Sequence, residues 1–165
     1  FPFTFICVYM PIKNQAIDKV FKKMRIRFGS KLVSATNFKN DFLAFTKQIF
    51  SIGLVADQNP GDPRNAYWLP FFGRMTPFVK GPEKNAVYNN SYVVYCNLKK
   101  VKRGYYSCTL EILSKTPKDL PPGEITKLIV ARMENSIRQQ PENYLWSHRR
   151  WKWEFDEEKY GAQKI

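Results

Sequence analysis

The chain has 165 residues, enough for one domain that buries roughly 70% of the surface of its unfolded form. Its 44% hydrophobic and 16% aromatic content excludes a disordered composition, and no apolar stretch reaches the roughly 18 residues of a membrane span. The formal charge of +13 calls for an anionic partner: nucleic acid, lipid phosphate or an acidic protein.

Residues 3–9 form a near-continuous apolar run stopped by Pro11, the pattern of a strand covered on both faces. Asn14 suits the N-cap of a helix in which Ile17, Val20, Phe21, Met24 and Phe28 keep helical spacing, with Gly29 at its end. Phe42, Phe45 and Ile49 predict a second, shorter helix running into a strand over residues 52–56. Residues 67–72 read as a short extended piece, and residues 82–89 as a helix with Pro82 in its first turn. Residues 92–96 and 105–113 read as strands joined by a lysine-rich connection over residues 98–104. The second of these alternates, with Tyr106, Cys108, Leu110 and Ile112 on one face. Beyond a Pro- and Gly-bounded linker, Ile125, Leu128, Ile129, Met133 and Ile137 predict the clearest amphipathic helix. Strands alternating with helices predict a single α/β domain over residues 1–165, with a largely parallel or mixed sheet flanked by helices.

Cys7, Cys96 and Cys108 lie in apolar runs and form no CxxC pair, so they are read as buried free thiols and not as zinc ligands or a disulfide framework. Residues 1–10 lack a basic n-region and a small-residue cleavage site, so no signal peptide is read. The chain has no initiator Met and enters a strand-like run at once, whereas termini are usually loosely held. That start predicts a piece of a longer protein.

Three segments could carry chemistry. In Val55-Ala56-Asp57-Gln58-Asn59-Pro60-Gly61-Asp62-Pro63-Arg64 a strand-like run stops at a carboxylate and opens into a turn. Ligands of open α/β sheets sit beyond such strand ends, although Asp57 also fits an Asx-turn. Arg25 and Arg27 close the first helix, where cations complement the dipole and where an Arg fork can also hold phosphate or an oxyanion. Residues 146–153 interleave three tryptophans with His148, Arg149, Arg150 and Lys152. That mixture suits single-stranded nucleic acid or a membrane interface. The cluster Lys99, Lys100, Lys102, Arg103 reads most simply as a solvated hairpin turn.

Together with Pro70-Phe71-Phe72-Gly73, these blocks resemble the lauroyl and myristoyl transferases of lipid A biosynthesis in Gram-negative bacteria, over about residues 8–152. The resemblance implies an incomplete, glycerolipid-acyltransferase-like fold. It implies Arg25 and Asp57 as catalytic residues, and Arg27, Gln58, Arg64, Arg149 and Arg150 as substrate contacts. It implies an acyl-acyl carrier protein as donor, a lipid A precursor as acceptor and an anionic membrane surface, on the cytoplasmic face of the inner membrane, as partner. No metal or cofactor is expected. The family's His-x4-Asp/Glu motif, whose histidine deprotonates the acceptor hydroxyl, is missing: five residues beyond His148, the only histidine, stands Trp153. His148 is therefore read as structural or substrate-adjacent. The chain by itself is expected to be inactive and open to self-association. A basic nucleic-acid-binding module and a non-catalytic acyltransferase-like scaffold are the alternatives. No RNA- or DNA-binding signature is present, so nucleic acid is not the expected partner.

Overall fold

A computed structural model describes residues 3–165. Residues 1 and 2, which open the stretch searched for a signal peptide, lie outside the described residues. The chain divides into two compact units, one reaching to Val55 and the other Ala56–Ile165. The α/β class expected from the alternation of elements is observed.

The first unit is a three-stranded parallel sheet in the order β2-β1-β3, built from β1 (Thr4–Tyr9), β2 (Lys31–Ser34) and β3 (Phe50–Gly53). Its central strand pairs Ile6 with Lys31 on one side and with Ile52 on the other. Helix α1 (Gln15–Ile26) makes the first crossover, since parallel neighbours need a long connection. Asn14 caps it as expected, accepting from the Ala16 and Ile17 N–H groups at 3.0 and 3.2 Å. Gly29 stops it at φ +87°, where a side chain would be strained. Asp18 ties the entry to the first turn, accepting from the Ile12 N–H at 2.9 Å and pairing with Lys22 at 2.7 Å. The core is Ile6, Val33 and Phe42, flanked by Phe38, Phe45, Phe50 and Ile52.

Two expectations change here. The second helix, α2, covers Phe38–Leu43, earlier than the Phe42–Phe45–Ile49 spacing predicts, because Phe42 and Phe38 stack on each other at 5.1 Å over the sheet core. The third strand ends at Gly53, so Asp57 lies four residues beyond it and not at its carboxyl end. Residues 31–34, too short and mixed to read as a strand, form β2 because β1 offers them an edge.

In the second unit β4 (Ala66–Phe71) and β5 (Arg74–Val79) form an antiparallel hairpin. Its two-residue turn, Phe72-Gly73, has φ +50° and +76°, the left-handed pair that matches the strand twist. Helix α3 (Gly81–Asn89) follows, close to its predicted bounds. Strands β6 (Val93–Lys102) and β7 (Tyr105–Ser114) form a second hairpin with Gly104 at φ +79°. The lysines at 99, 100 and 102 therefore belong to β6, and the expected long turn shrinks to Arg103-Gly104. Helix α4 (Glu124–Gln139) carries the predicted amphipathic stripe and buries Ile125, Val130, Met133 and Ile137. Leu69, Phe71, Phe78, Val130, Met133 and Ile137 form the core. A four-residue helix, α5 (Glu157–Tyr160), lies in the C-terminal segment.

Two polar devices hold this unit. The N-cap position of α4 is Gly123, which has φ +90° and no side chain to cap with. Glu83 of α3 takes that role from a distance, accepting from the Gly123 N–H (2.6 Å), the Thr126 N–H (2.9 Å) and the Thr126 hydroxyl (2.7 Å). A buried carboxylate at a helix N-terminus satisfies donors that would otherwise be orphaned. On the other side, Pro77 stands opposite Trp68 in the ladder and offers no N–H. The Trp68 carbonyl instead accepts from Ile165 at 3.0 Å, while Tyr160 stacks on its indole at 4.8 Å.

Candidate active site

Residues 54–60 run between β3 and the turn before β4 without regular structure. Asp57 and Gln58 are exposed at the crest of this loop, and Asn59 is half-buried at its base. What holds the base is the late Arg-Arg block. The Asn59 amide donates to the Arg149 carbonyl at 2.5 Å and accepts from Arg150 Nη1 at 2.7 Å. Arg150 Nη2 donates to the Pro77 carbonyl at 2.8 Å. The guanidinium is only 1% exposed and lies 4.0 Å over the Phe78 ring and 5.8 Å from that of Phe71. A planar fork on aromatic faces is a geometry that lysine cannot reproduce.

Burial pushes the Arg150 guanidinium down to about 10, and the Tyr144 and Asp57 charges oppose that fall. Among the described residues its Nε has no hydrogen-bond partner, nor has the buried Tyr144 hydroxyl. Burial also raises Tyr144; Arg150 lowers it and Asp57 raises it further. Tyr95 is raised by burial, lowered by its bond to Ser136, and raised by Asp57. Asp57 is thus in electrostatic reach of Tyr95, Tyr144 and Arg150, and Tyr144 of Arg150. The field of this exposed carboxylate acts on a buried cation and two phenols, groups able to orient or stabilise a polar substrate atom.

The remaining candidates fall in different places. Arg64 is exposed but held by Asp62 of its own turn, Nε to Oδ1 at 3.0 Å and Nη2 to Oδ2 at 2.9 Å, which lowers the Asp62 carboxyl. This turn borders a shallow cavity of about 360 Å³ edged by Gly61, Asp62, Asn65, Lys80 and Lys84. Arg149 is exposed, and its contact with the loop is through its backbone. His148 is half-buried, and among the described residues no serine or cysteine is hydrogen-bonded to it. Arg25 and Arg27 belong to the first unit. Arg25 is half-buried with its guanidinium 5.4 Å from the Phe21 ring and 6.0 Å from that of Tyr9, and its Nη1 is buried without a partner. Arg27 is exposed at the helix end against Phe28.

The structure therefore brings Asp57, Gln58 and Asn59 together with Arg149 and Arg150. Arg150 directs both terminal nitrogens to protein acceptors. Asn59, Tyr95 and Tyr144 are the members that sequence reasoning missed. Asn59 is the one with a signal, as the residue after the Asp-Gln pair; the tyrosines come from other elements and carry none. Cys96 and Cys108, expected to be buried, are exposed with their sulfurs 3.2 Å apart. They lie on the outward face of a hairpin that covers only its other face with α4. Among the described residues no group of three or more His, Cys, Asp or Glu stands together as a metal site, and no helix is long and apolar enough to cross a membrane.

No curated protein matches the chain. The profile of the bacterial lipid A biosynthesis acyltransferases matches residues 3–153, a span holding Arg25, the Asp57 loop and the Arg-Arg block that anchors it. The chain belongs to the bacterial lipid A biosynthesis acyltransferase family.

Proposed function

We propose that the protein moves a fatty acyl chain from the thioester of an acyl-acyl carrier protein to a hydroxyl of a lipid A precursor, at the cytoplasmic face of a Gram-negative inner membrane. The observation that carries the reading is the family match over residues 3–153, with the Asp57–Asn59 loop tethered to Arg150 inside it. In this reading Arg25 stabilises the oxyanion or an acceptor phosphate, and Asp57 orients the acceptor. Gln58, Arg64, Arg27 and Arg149 meet the charged parts of the two substrates, while Arg150 acts through Asn59.

The acceptor oxygen must lose its proton as it attacks the thioester carbonyl, and the carrier-protein thiol leaves. No histidine here is followed by a carboxylate five residues on, so these 165 residues alone transfer no acyl group; general bases contribute typically ~10²–10⁴-fold. Two assays test the reading. The protein expressed from its whole open reading frame is incubated with radiolabelled acyl-acyl carrier protein and lipid A precursor, and acylated precursor is the expected product. No product with any acyl chain length and any precursor refutes it. Enzyme-dependent product from the 165-residue chain refutes the assignment of the base.

A further inference from the structure

The β6–β7 hairpin is turned the wrong way round for a soluble sheet. Antiparallel sheets normally bury an apolar face and hydrate a polar one. Here the face against α4 is polar: Tyr95 meets Ser136 at 3.3 Å, Lys99 Nζ reaches Gln139 at 2.6 Å, and Arg132 Nε holds Glu111 at 2.8 Å. Gln140 pairs with the Lys100 backbone at 3.2 and 3.0 Å. The opposite face is apolar and bare. Cross-strand neighbours Val94 and Ile112, Cys96 and Leu110, and Leu98 and Cys108 line it. Leu98, Leu110 and Ile112 are 61%, 65% and 53% exposed.

We propose that this outward face is the surface on which the protein docks on an anionic lipid bilayer. Charge selects that occupant. Lys100, Lys102 and Arg103 stand exposed at the hairpin end beside exposed Val101, Tyr105 and Tyr106. Glu111, the one carboxylate on the two strands, faces α4 and is paired with Arg132. An apolar surface edged by cations and tyrosines matches acyl chains beneath anionic headgroups. A second copy would bring the same cations and a net charge of +13 to the contact. The acyltransferase reading enters only in naming the membrane, so a failure of docking leaves that reading standing.

The full chain is tested by co-sedimentation with vesicles of phosphatidylglycerol mixed with phosphatidylcholine, and with vesicles of phosphatidylcholine alone. Binding to the anionic vesicles is expected, falling roughly a hundredfold in the Lys100→Glu, Lys102→Glu, Arg103→Glu variant. Leu98→Asn with Leu110→Asn is expected to lower it as well. Unfolding midpoints in urea establish that the variants fold. A second measurement does not depend on them: an environment-sensitive fluorophore on Cys108, with Cys7→Ser and Cys96→Ser, shifts to the blue when anionic vesicles are added. Three results overturn the proposal. One is vesicle binding unchanged in both variants. Another is no fluorophore shift on bound vesicles. The third is a fluorophore already shielded without lipid, which assigns the face to another protein segment or, where shielding grows with concentration, to a second copy.

Discussion

Replacing Arg150 separates a role in holding the Asp57 loop from a role as a mere positive charge. Burial holds the guanidinium well below the usual arginine range, at about 10, a cost of roughly 3 kcal/mol at about 1.4 kcal/mol per tenfold. Both folded and unfolded chains hold the proton below pH 10, so this cost does not vary with pH in the physiological range. Against it stand two hydrogen bonds from a charged donor, to Asn59 and Pro77, together about 3–6 kcal/mol, and the contact with Phe78. Arg150→Met keeps the apolar contact and removes both the cost and the bonds, so a net loss of up to about 3 kcal/mol is expected. Arg150→Lys keeps the buried charge, but its single nitrogen cannot span two acceptors in fork geometry. It should lose at least as much as the Met variant. Urea unfolding followed by tryptophan fluorescence measures both, and a double-mutant cycle with Asn59→Ala should return a coupling of about 1.5–3 kcal/mol. Hydrogen exchange at residues 57–59 should quicken in each variant. A Lys variant with the wild-type midpoint, or a coupling near zero, refutes the reasoning.

Other outcomes follow from the same geometry. Glu83→Gln places an NH2 group against donors at the α4 N-terminus and is expected to cost about 2–4 kcal/mol in urea unfolding, whereas Glu124→Gln, half-buried at the first residue of the helix, should stay within about 0.5 kcal/mol; equal midpoints for the two would overturn the distant cap. The Ile12 N–H and then Lys22 lower the Asp18 carboxyl, so its contribution is full above about pH 4 and disappears as pH falls through the depressed folded value. Asp18→Asn should therefore flatten the acid limb of the stability curve, and an unchanged limb argues against that linkage. In acyl-transfer assays of the whole protein, Arg25→Ala and Asp57→Ala should lower turnover by roughly 10²-fold or more, while His148→Ala acts through folding. A well-folded His148→Ala variant with an equal loss of turnover would reverse those roles.

Local chemistry determined much of the chain. Asn14 capping α1, Gly29 stopping it and the stripe along α4 are effects of residues within a few positions of one another, where periodicity and side-chain reach decide the outcome. The blocks at Arg25, Asp57 and residues 146–153 were likewise legible as candidates. Tertiary structure decided what pairs across distance. Residues 31–34 became a strand because β1 offered an edge, and Glu83 became the cap of a helix 40 residues away because Gly123 had no side chain to use. Cys96 and Cys108 came to the outside because α4 covers the other face of their hairpin; alternation sorts residues into two faces without saying which one is buried. The same holds for Arg150. Its charge reads as a surface contact in one dimension, and only the packing of Phe78, the Pro77 carbonyl and Asn59 around it makes burial of a guanidinium affordable.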